Sequence, residues 1–314
     1  MEAQSAADLP AGSGWWFEPK WDGFRCLARK HGRKVHLTAK SGKPLGRYFP
    51  EVVRLIAGLK ADRFTLDGEL LVELDGKYSF EALQARLHPA ESRILKLSTE
   101  TPAMLKPFDM LEHAGKDLLA LSLVKRREHL DRFLKATGNV LERSPGTEDR
   151  RTARRWLAGG AYEGVVAKRL DGPYLPGERA MIKVKRRRTA DCVVGGFRYA
   201  SSSNLVGSLL LGLYNRDGQL DHVGFTSGFG GFDRKDLTKR LEGLRGGKGF
   251  TGNAPGGPSR WSTDRSAEWV PLKPELVVEV SFDHVSNHRF RHGTRLVRLR
   301  PDKSPGQCRM EQIE

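Results

Sequence analysis

The sequence predicts an α+β protein, in which a domain of mixed sheets and helices is followed by a small β-barrel. Up to Lys185, strand-like runs alternate with segments whose apolar residues recur at helical spacing. After the basic run Arg186–Arg188, short apolar or alternating runs separated by turn residues predominate. We therefore predict two domains, 1–188 and 189–314. A single mixed domain is the alternative, but the change in composition persists to the C-terminus and favours two.

The first domain is predicted to start with a mobile segment, because Met1–Gly14 is rich in Ala, Gly and Ser. Beyond it, period-two alternation indicates strands, and helical spacing indicates amphipathic helices. The predicted strands are Arg25–Arg29, Lys34–Thr38, Arg63–Leu74, Ala103–Leu111, Glu163–Arg169 and Met181–Lys185, and the predicted helices are Glu51–Lys60, Phe80–Leu87, Val124–Ala136 and Thr152–Leu157.

The second domain has the pattern of a small barrel. Its predicted strands are Val193–Tyr199, Ser208–Tyr214, Leu220–Thr226 and Leu276–Phe282, with one helix near Asp233–Leu244. About five strands in roughly 125 residues are typical of a barrel of the OB type.

Composition limits the possible partners. Lys and Arg number 54 against 38 Asp and Glu, which gives a net charge of +16 and a pI of about 9.9. This excess favours a polyanion, either nucleic acid or an anionic membrane surface. No apolar run approaches the ~20 residues of a membrane span, and no signal peptide is recognisable. Three widely spaced cysteines fit a reduced cytoplasm, so we expect a cytoplasmic protein.

The stretch Trp16–Arg25 has the most unusual local chemistry. Lys20 lies among aromatic residues, with Glu18, Asp22 and Arg25 close by in sequence. A lysine is a poor nucleophile at pH 7 because its ordinary pKa of ~10.4 keeps it protonated, but desolvation or a neighbouring cation lowers that pKa. The stretch could therefore supply a reactive amine. Taken alone, it fits a surface strand with solvated charges better.

Three later strands also place charged residues on one face. Alternation puts Asp67 and Glu69 together, where they could bind a ribose hydroxyl and a divalent cation or form a solvated acidic face. Glu163 comes just before a buried apolar run and is a candidate Mg²⁺ ligand beside substrate phosphates. Lys183 and Lys185 share one face and suit phosphate neutralisation. Each pattern alone could equally be an ordinary strand edge.

The order of these stretches is more specific than any one of them. The ordered motifs are Lys20-Trp21-Asp22-Gly23-Phe24-Arg25, Asp67-Gly68-Glu69, Phe108-Asp109, Glu163-Gly164-Val165-Val166-Ala167-Lys168 and Lys183-Val184-Lys185, and further matches are Gly46–Glu51, Thr189–Gly196 and Arg295–Cys308. They resemble the motifs of covalent nucleotidyltransferases, which comprise ATP-dependent DNA ligases, RNA ligases and mRNA-capping enzymes. The chain is most similar to bacterial ATP-dependent DNA ligases, either the stand-alone C-type or the ligase domain of the D-type. This implies an adenylation domain followed by an OB-fold β-barrel.

The resemblance implies a role for each residue around the nucleophile. Lys20 would attack the α-phosphate of ATP and become a lysyl-AMP phosphoramidate, and Asp22 would orient the site around it. Glu163 would help to bind the metal, Mg²⁺ or Mn²⁺. Lys183 and Lys185 would neutralise the α-phosphate and later the phosphate at the nick.

The same resemblance implies the nucleotide-binding residues. Glu18 would meet the adenine and Phe108 would stack on it, while Arg25 and Glu69 would hold the ribose. The family's arginine after the first hairpin is replaced here by Lys40. Lysine keeps the charge but loses the bidentate geometry, so we expect a weaker phosphate or ribose contact there.

Two further matches lie later in the chain. Arg300, Asp302 and Lys303 match the family's last motif, which lies on the OB domain and orients the pyrophosphate leaving group. Arg300 and Lys303 are therefore predicted to contact ATP. Lys168 also matches a motif, but alternation on a regular strand would turn it away from Glu163.

The predicted function is that of a monomeric ATP-dependent DNA ligase that seals nicks in duplex DNA during repair. The glycine-rich, basic segment Arg245–Arg260 is either a DNA-contacting loop or an ordinary surface loop. An RNA ligase or a capping enzyme with the same lysyl-nucleotide chemistry is the alternative enzyme. A basic nucleic-acid-binding protein with a degenerate site is the alternative without catalysis.

Overall fold

The computed structural model describes residues 1–201, 203–256 and 268–313. By its internal contacts the chain divides into two units, Met1–Arg186 and Arg187–Glu314. The boundary predicted from the sequence, between Arg188 and Thr189, lies two residues beyond this division.

The first unit is built on two sheets. Its strands are β1 (Ala3–Ser5), β2 (Trp15–Lys20), β3 (Phe24–His31), β4 (Lys34–Ala39), β5 (Arg63–Leu74), β6 (Lys77–Tyr78), β7 (Ala103–His113), β8 (Lys116–Asp117), β9 (Gly164–Arg169) and β10 (Met181–Lys185). Among these described strands, one four-stranded sheet has the order β1-β10-β9-β2, and the other has the order β4-β3-β5-β7-β8 with β6 paired to β5. Strand β1 runs parallel to β10, and the remaining neighbours are antiparallel.

With one exception, the helices of the first unit begin where the sequence favours a helix start. They are α1 (Pro50–Gly58), α2 (Phe80–Ala85), α3 (Glu91–Glu100), α4 (Leu123–Ala136) and α5 (Arg150–Gly159), and a short 3₁₀ helix spans Gly46–Tyr48. Pro50 occupies the first turn of α1. The side chains of Ser122 and Asp149 accept hydrogen bonds from backbone amides at the starts of α4 and α5. Apolar residues of α1 and α4 share one core with the larger sheet.

The second unit is a closed β-barrel. Its described elements are β11 (Arg188–Tyr199), β12 (Val206–Tyr214), β13 (Leu220–Gly228), α6 (Arg234–Glu242), β14 (Val270–Pro271), β15 (Val277–Phe282), β16 (Val285–Ser286), β17 (Arg289–Phe290) and β18 (Thr294–Leu299), with 3₁₀ turns at Pro305–Gln307 and Met310–Gln312. Strands β11, β12, β13, β18 and β15 pair in a ring that closes on β11. This closure leaves apolar side chains inside, as in a small barrel of the OB type.

One sequence expectation needs correction, and some elements were not predicted. The segment Met1–Gly14 is not a mobile lead-in, because Ala3–Ser5 pairs with β10 and both Met1 and Leu9 are buried. Helix α3 was not predicted; no side-chain cap marks its start. Strand β18 was not predicted either. The segment Arg245–Arg260 extends past residue 256 and so lies partly outside the described residues.

Candidate active site

Lys20 ends β2 and projects from one face of the four-stranded sheet. Lys20 and Lys185 are both register partners of Gly164 on the central strand β9. Glu18 and Lys183 are both register partners of Val166, two residues further along β9. Because residues two apart on a strand point to the same side, the three lysines and Glu18 share a face. The sheet therefore gathers charges from distant parts of the sequence.

The opposite face of this sheet is apolar. Phe17, Val165, Ala167 and Val184 pack there with Ala153 of α5. A slip of one residue in the pairing would turn the lysines into this core, so burial of the apolar face fixes the register.

Gly164 lets β9 and β10 approach closely behind the nucleophile. A Cβ atom at this position would lie 2.2 Å from the carbonyl oxygen of Val184, which is far inside contact distance. The backbone amide of the preceding Glu163 donates to the carbonyl of Lys20 at 3.0 Å. Only glycine therefore fits at this position, next to the carboxylate of Glu163.

Glu163 holds two lysines. Lys20 Nζ contacts Oε2 of Glu163, and Lys185 Nζ lies 2.7 Å from Oε1. Burial alone would raise the pKa of Glu163, but the two ammonium groups outweigh it and hold this pKa below its ordinary value. Glu163 is therefore an anion at neutral pH, as a metal ligand or a counter-ion requires.

Two groups beside this cluster have charged forms that the protein stabilises poorly. Burial, followed by repulsion from Lys20 and Lys185, lowers the pKa of Lys183. Burial raises the pKa of Glu69 to about 8, because it outweighs the attraction of Lys20 and Arg25, and the carboxylates of Asp67 and Glu163 raise the pKa further. An added anion would stabilise the charged form of Lys183, and an added cation would stabilise the charged form of Glu69.

Glu18, two residues before Lys20, is buried and held by two hydrogen-bond donors and an ion pair. Trp16 Nε1 donates to Oε1 at 3.0 Å, Arg127 Nη1 donates to the same atom at 3.2 Å, and Lys168 Nζ lies 2.6 Å from Oε2. The guanidinium of Arg127 also lies 3.8 Å from the centre of the Trp16 ring, within cation–π distance. The Glu18 carboxylate is thus fixed on both oxygens.

Lys168 belongs to the same face as Glu18. Its Nζ lies 4.4 Å from the centre of the Phe108 ring. The sequence predicted that Lys168 would face away from Glu163, on the assumption that both lie on one strand. Glu163 precedes β9 and is not part of it, so the alternation of side chains along the strand does not relate these two residues.

Arg25 and Phe108 come from the larger sheet. Arg25 forms a bidentate ion pair with Asp67, with Nε–Oδ1 at 3.0 Å and Nη2–Oδ2 at 2.6 Å. The hydroxyl of Tyr174 donates to Oδ2 of Asp67 at 2.8 Å. The Arg25 guanidinium carbon lies 5.8 Å from the centre of the Phe108 ring. Asp67 therefore fixes the orientation of Arg25 beside the aromatic ring.

Glu18, Lys20, Arg25 and Phe108 line a cavity of about 720 Å³, a volume suited to a nucleotide. Lys40 lies exposed at its rim, where it pairs with Glu2 at 3.0 Å. Asp22 lies outside the lining, in the turn between β2 and β3. The charged and aromatic residues of the lining are Glu2, Glu18, Lys20, Trp21, Arg25, Lys40, Glu69, Phe108, Lys168, Arg179 and Lys183.

The other predicted site residues, Arg300 and Lys303, belong to the second unit. There both contact the carboxylate of Asp191. Among the described residues, no group of three or more His, Cys, Asp or Glu side chains is placed to hold a metal. No helix in the described parts of the chain is long and apolar enough to cross a membrane.

Comparison with known proteins decides the family. The family model of the ATP-dependent DNA ligase domain matches residues 2–185, and that of the ATP-dependent DNA ligase C-terminal region matches residues 202–303. The chain belongs to the ATP-dependent DNA ligases. This ligase is 41% identical to DNA ligase C1 of Mycolicibacterium smegmatis, over 100% of this chain and 93% of that protein. It is 38% identical to DNA ligase C of Mycobacterium tuberculosis, with the same coverage.

A solved structure supports the same fold. The ligase domain of M. tuberculosis LigD is 29% identical to this ligase, with a TM-score of 0.53 over 98% of this chain and 97% of that chain. The predicted α+β fold, an adenylation domain followed by an OB-fold barrel, is confirmed. The predicted function of an ATP-dependent DNA ligase is confirmed as well.

Sequence reasoning missed several residues that hold this ligase's site together. Arg127 lies on α4 and reaches Glu18 across 109 residues of sequence. Asp67 was predicted to lie with Glu69 on a strand face that could bind a ribose hydroxyl and a divalent cation or be solvated, and its pairing with Arg25 was not predicted. The one available signal for Arg127 was a run of arginines on a helix, and such runs are usually solvated.

Proposed function

We propose that this ligase seals nicks bearing a 5′-phosphate and a 3′-hydroxyl in duplex DNA through a covalent lysyl-AMP on Lys20. The observation that carries the proposal is the position of Lys20, which contacts Glu163, lies near Lys183 and lines a cavity of nucleotide size. Nucleotidyl transfer needs an in-line nucleophile and cations on the developing charge, with little other covalent machinery. Lys20 and its neighbouring lysines meet those needs.

The cavity offers a place for each part of ATP. The adenine would stack on Phe108, which Arg25 and Lys168 already flank. Glu18 would meet the adenine, since two hydrogen bonds and the ion pair with Lys168 hold its carboxylate in place. Arg25 and Glu69 would hold the ribose, with Asp67 and Tyr174 keeping the guanidinium oriented. Lys40, at the rim, would contact a phosphate or the ribose.

Glu163 would help to bind a divalent cation, Mg²⁺ or Mn²⁺, together with the phosphates of ATP, and Glu69, beside the ribose, could contribute a second carboxylate. Glu69 forms no ion pair with any described residue, and burial raises its pKa to about 8, so a cation would favour its ionised form. Carboxylate oxygens are ligands that these ions accept, with substrate phosphates completing the shell. When bound, the metal would neutralise charge on the reacting phosphate.

In the first step, Lys20 Nζ would form a bond to the α-phosphorus of ATP while the bond to pyrophosphate breaks. An ammonium group has no free electron pair, so Lys20 must leave Glu163 and give a proton to water before it attacks. A second proton passes from the nitrogen to water as the phosphoramidate forms. Lys183 and Lys185 would contact the oxygens of the α-phosphate, where negative charge develops. Asp22 would orient the site around the nucleophile.

The later steps would use the same cations. An oxygen of the 5′-phosphate at the nick would displace Lys20 from AMP, and the 3′-hydroxyl oxygen would then attack that 5′-phosphorus and release AMP. Arg300 and Lys303 would act earlier, by orienting the pyrophosphate that leaves in the first step. In this scheme the adenylation domain spans 1–188 and the OB domain spans 189–314.

We place this activity on nicked duplex DNA in the bacterial cytoplasm, in a monomer that serves DNA repair. The net charge of +16 supports a phosphate-rich substrate. A repair role is supported by a relative named multifunctional non-homologous end joining DNA repair protein LigD, of M. tuberculosis. This ligase matches it at 31% identity over 94% of this chain and 37% of that protein.

The deciding experiment compares the wild type with Lys20→Ala by intact mass after incubation with ATP. The wild type should gain the mass of AMP, and Lys20→Ala should not. Lys20→Ala should still join a nick that already carries the 5′-adenylate, since that step does not use the amine. This second assay shows that the variant is folded, and an AMP adduct on Lys20→Ala would overturn the proposal.

The alternative enzymes are separated by substrate. Labelled ATP should modify the wild type and labelled GTP should not, whereas a capping enzyme would give the reverse. Nicked DNA should be sealed faster than nicked RNA in the same buffer, and a preference for RNA would favour an RNA ligase.

A further inference from the structure

Arg300 and Lys303 converge on one carboxylate in the second unit. Arg300 Nη1 donates to Oδ1 of Asp191 at 2.8 Å, and Lys303 Nζ donates to Oδ2. Each oxygen of Asp191 thus holds one of the two cations of the family's last motif. Sequence reasoning noted Asp191 within the matched stretch Thr189–Gly196 and gave it no role.

Asp191 is itself held firmly. It lies near the start of β11 and exposes only 8% of its surface. The side chain of Gln312 bonds its backbone twice, accepting from the amide at 3.1 Å and donating to the carbonyl at 3.1 Å. Because the barrel strand and Gln312 fix its backbone, Asp191 is the fixed member of the cluster.

The two cations are more exposed than the carboxylate that holds them. The side chains of Arg300 and Lys303 are 19% and 24% exposed, against 11% for Asp191. Asp302 pairs with the other edge of the Arg300 guanidinium at 2.8 Å but is 63% exposed. A solvent-exposed partner constrains a side chain weakly. Glu279 is 14% exposed, but its Oε2 lies 3.9 Å from Arg300 Nη1, beyond hydrogen-bond distance, so Asp191 supplies most of the constraint on Arg300.

We propose that Asp191 is a positioning residue for the first step of ligation, which holds Arg300 and Lys303 in the geometry that receives the pyrophosphate of ATP. This inference rests on the function proposed above for those two cations. Without the carboxylate, two neighbouring positive charges would repel each other and lose their common anchor. Loss of orientation of a group that acts on the leaving charge reduces rate, even when the group is still present.

The test is Asp191→Asn, with the steps of ligation measured separately in the full-length enzyme. The value of kcat/KM for lysyl-AMP formation from ATP should fall about tenfold or more. Joining of a nick that already carries the 5′-adenylate should stay within about twofold of wild type, because no pyrophosphate leaves in that step. A merely structural role would reduce both steps together.

A double-variant comparison tests whether Asp191 acts through the two cations. Arg300→Ala/Lys303→Ala should lower kcat/KM for lysyl-AMP formation. Adding Asp191→Asn to that variant should lower it little further. Asp221→Asn is the matched control, since Asp221 is a buried carboxylate of the same barrel that bonds Asn215 and Asn253 instead. In Asp221→Asn, the rate of lysyl-AMP formation should fall no more than the rate of joining.

The outcomes separate this inference from the proposed function. If Arg300→Ala/Lys303→Ala slows the first step and Asp191→Asn does not, the inference fails and the function stands. If neither variant slows it, the roles of the two cations fail as well. Should Asp191→Asn not fold, Asp191→Glu decides, because a longer carboxylate displaces both cations and should slow only the first step. An equal loss in both steps would overturn the inference.

Discussion

Each unit of this ligase contains a buried carboxylate that holds two cations. In the first unit Glu163 contacts Lys20 and a second lysine, and in the second unit Asp191 contacts an arginine and Lys303. The two carboxylate side chains are similarly exposed, at 9% and 11%. The local arrangement of charge is therefore almost the same, and the difference between the units lies in what surrounds it.

The cluster of the first unit is electrostatically incomplete. Beside Glu163, burial lowers the pKa of Lys183 and raises that of Glu69 to about 8. In the second unit, by contrast, hydrogen bonds from Arg300 lower the pKa of Asp302 to about 2. In the first unit, the charged forms of Lys183 and Glu69 are poorly stabilised by the protein, which is typical of a site that binds a charged substrate. In the second unit, the charges around Asp191 are paired, so this cluster holds its residues in position.

The largest effect is expected from Glu163→Gln. This change removes the anion shared by Lys20 and Lys185 and the proposed metal ligand, so lysyl-AMP formation should fall about 10²- to 10³-fold. Quenched reactions with labelled ATP measure the rate. Glu128→Gln is the matched control, because Glu128 pairs with Lys125 on an exposed helix surface at 3.1 Å and should leave the rate unchanged. If the two variants were equally active, Glu163 would have no special role.

A pH-dependent stability difference is expected from Glu69→Gln. In the folded protein Glu69 holds its proton up to pH of about 8, whereas in the unfolded chain it ionises near its ordinary pKa of 4.5. The unfolded state therefore binds fewer protons between these values, so this group makes folding less favourable as the pH rises through that window. Thermal melts without ATP should show Glu69→Gln gaining stability relative to wild type from pH 5 to pH 8.

Asp302→Asn sharpens the comparison, because its expected change in thermal stability has the opposite sign to that of Glu69→Gln. The pKa of Asp302 is lowered from 3.8 to about 2, so its stabilising contribution is present above 3.8 and is lost as the pH falls toward 2. At neutral pH Asp302→Asn should melt slightly below wild type, and Glu69→Gln should melt above it. Equal signs for the two variants would show that the units do not differ as described.

Much of the fold could be predicted from the sequence because the strands have faces of different polarity. The bounds of β5 and β10 match the predicted Arg63–Leu74 and Met181–Lys185, where apolar and charged residues alternate or cluster clearly. Strand β1 could not be predicted, since Ala3–Ser5 has no apolar pattern and its partner lies far along the chain. Pairing at that distance leaves no local signal.

The site, like the fold, has features that a local sequence pattern predicts and features that it does not. Alternation placed Lys183 with Lys185, because a shared strand face is a local property. The contact of Arg127 with Glu18 and that of Asp191 with Arg300 could not be found, since each spans more than 100 residues. The roles of most site residues came from resemblance to a family, and alternation alone would have left them as strand edges.

The smallest effect is expected from Lys40, which replaces the arginine expected from the resemblance. Its ion pair with Glu2 is exposed on both sides, at 58% and 36%, and pairs of this kind contribute about 0–1 kcal/mol. Lys40→Ala should therefore melt close to wild type and raise the KM for ATP only about two- to fivefold. Lys40→Arg should lower that KM, because a guanidinium can bind a phosphate through two parallel hydrogen bonds. A loss with Lys40→Ala as large as that with Glu163→Gln would contradict this ranking, because an exposed rim cation would then matter as much as the central carboxylate.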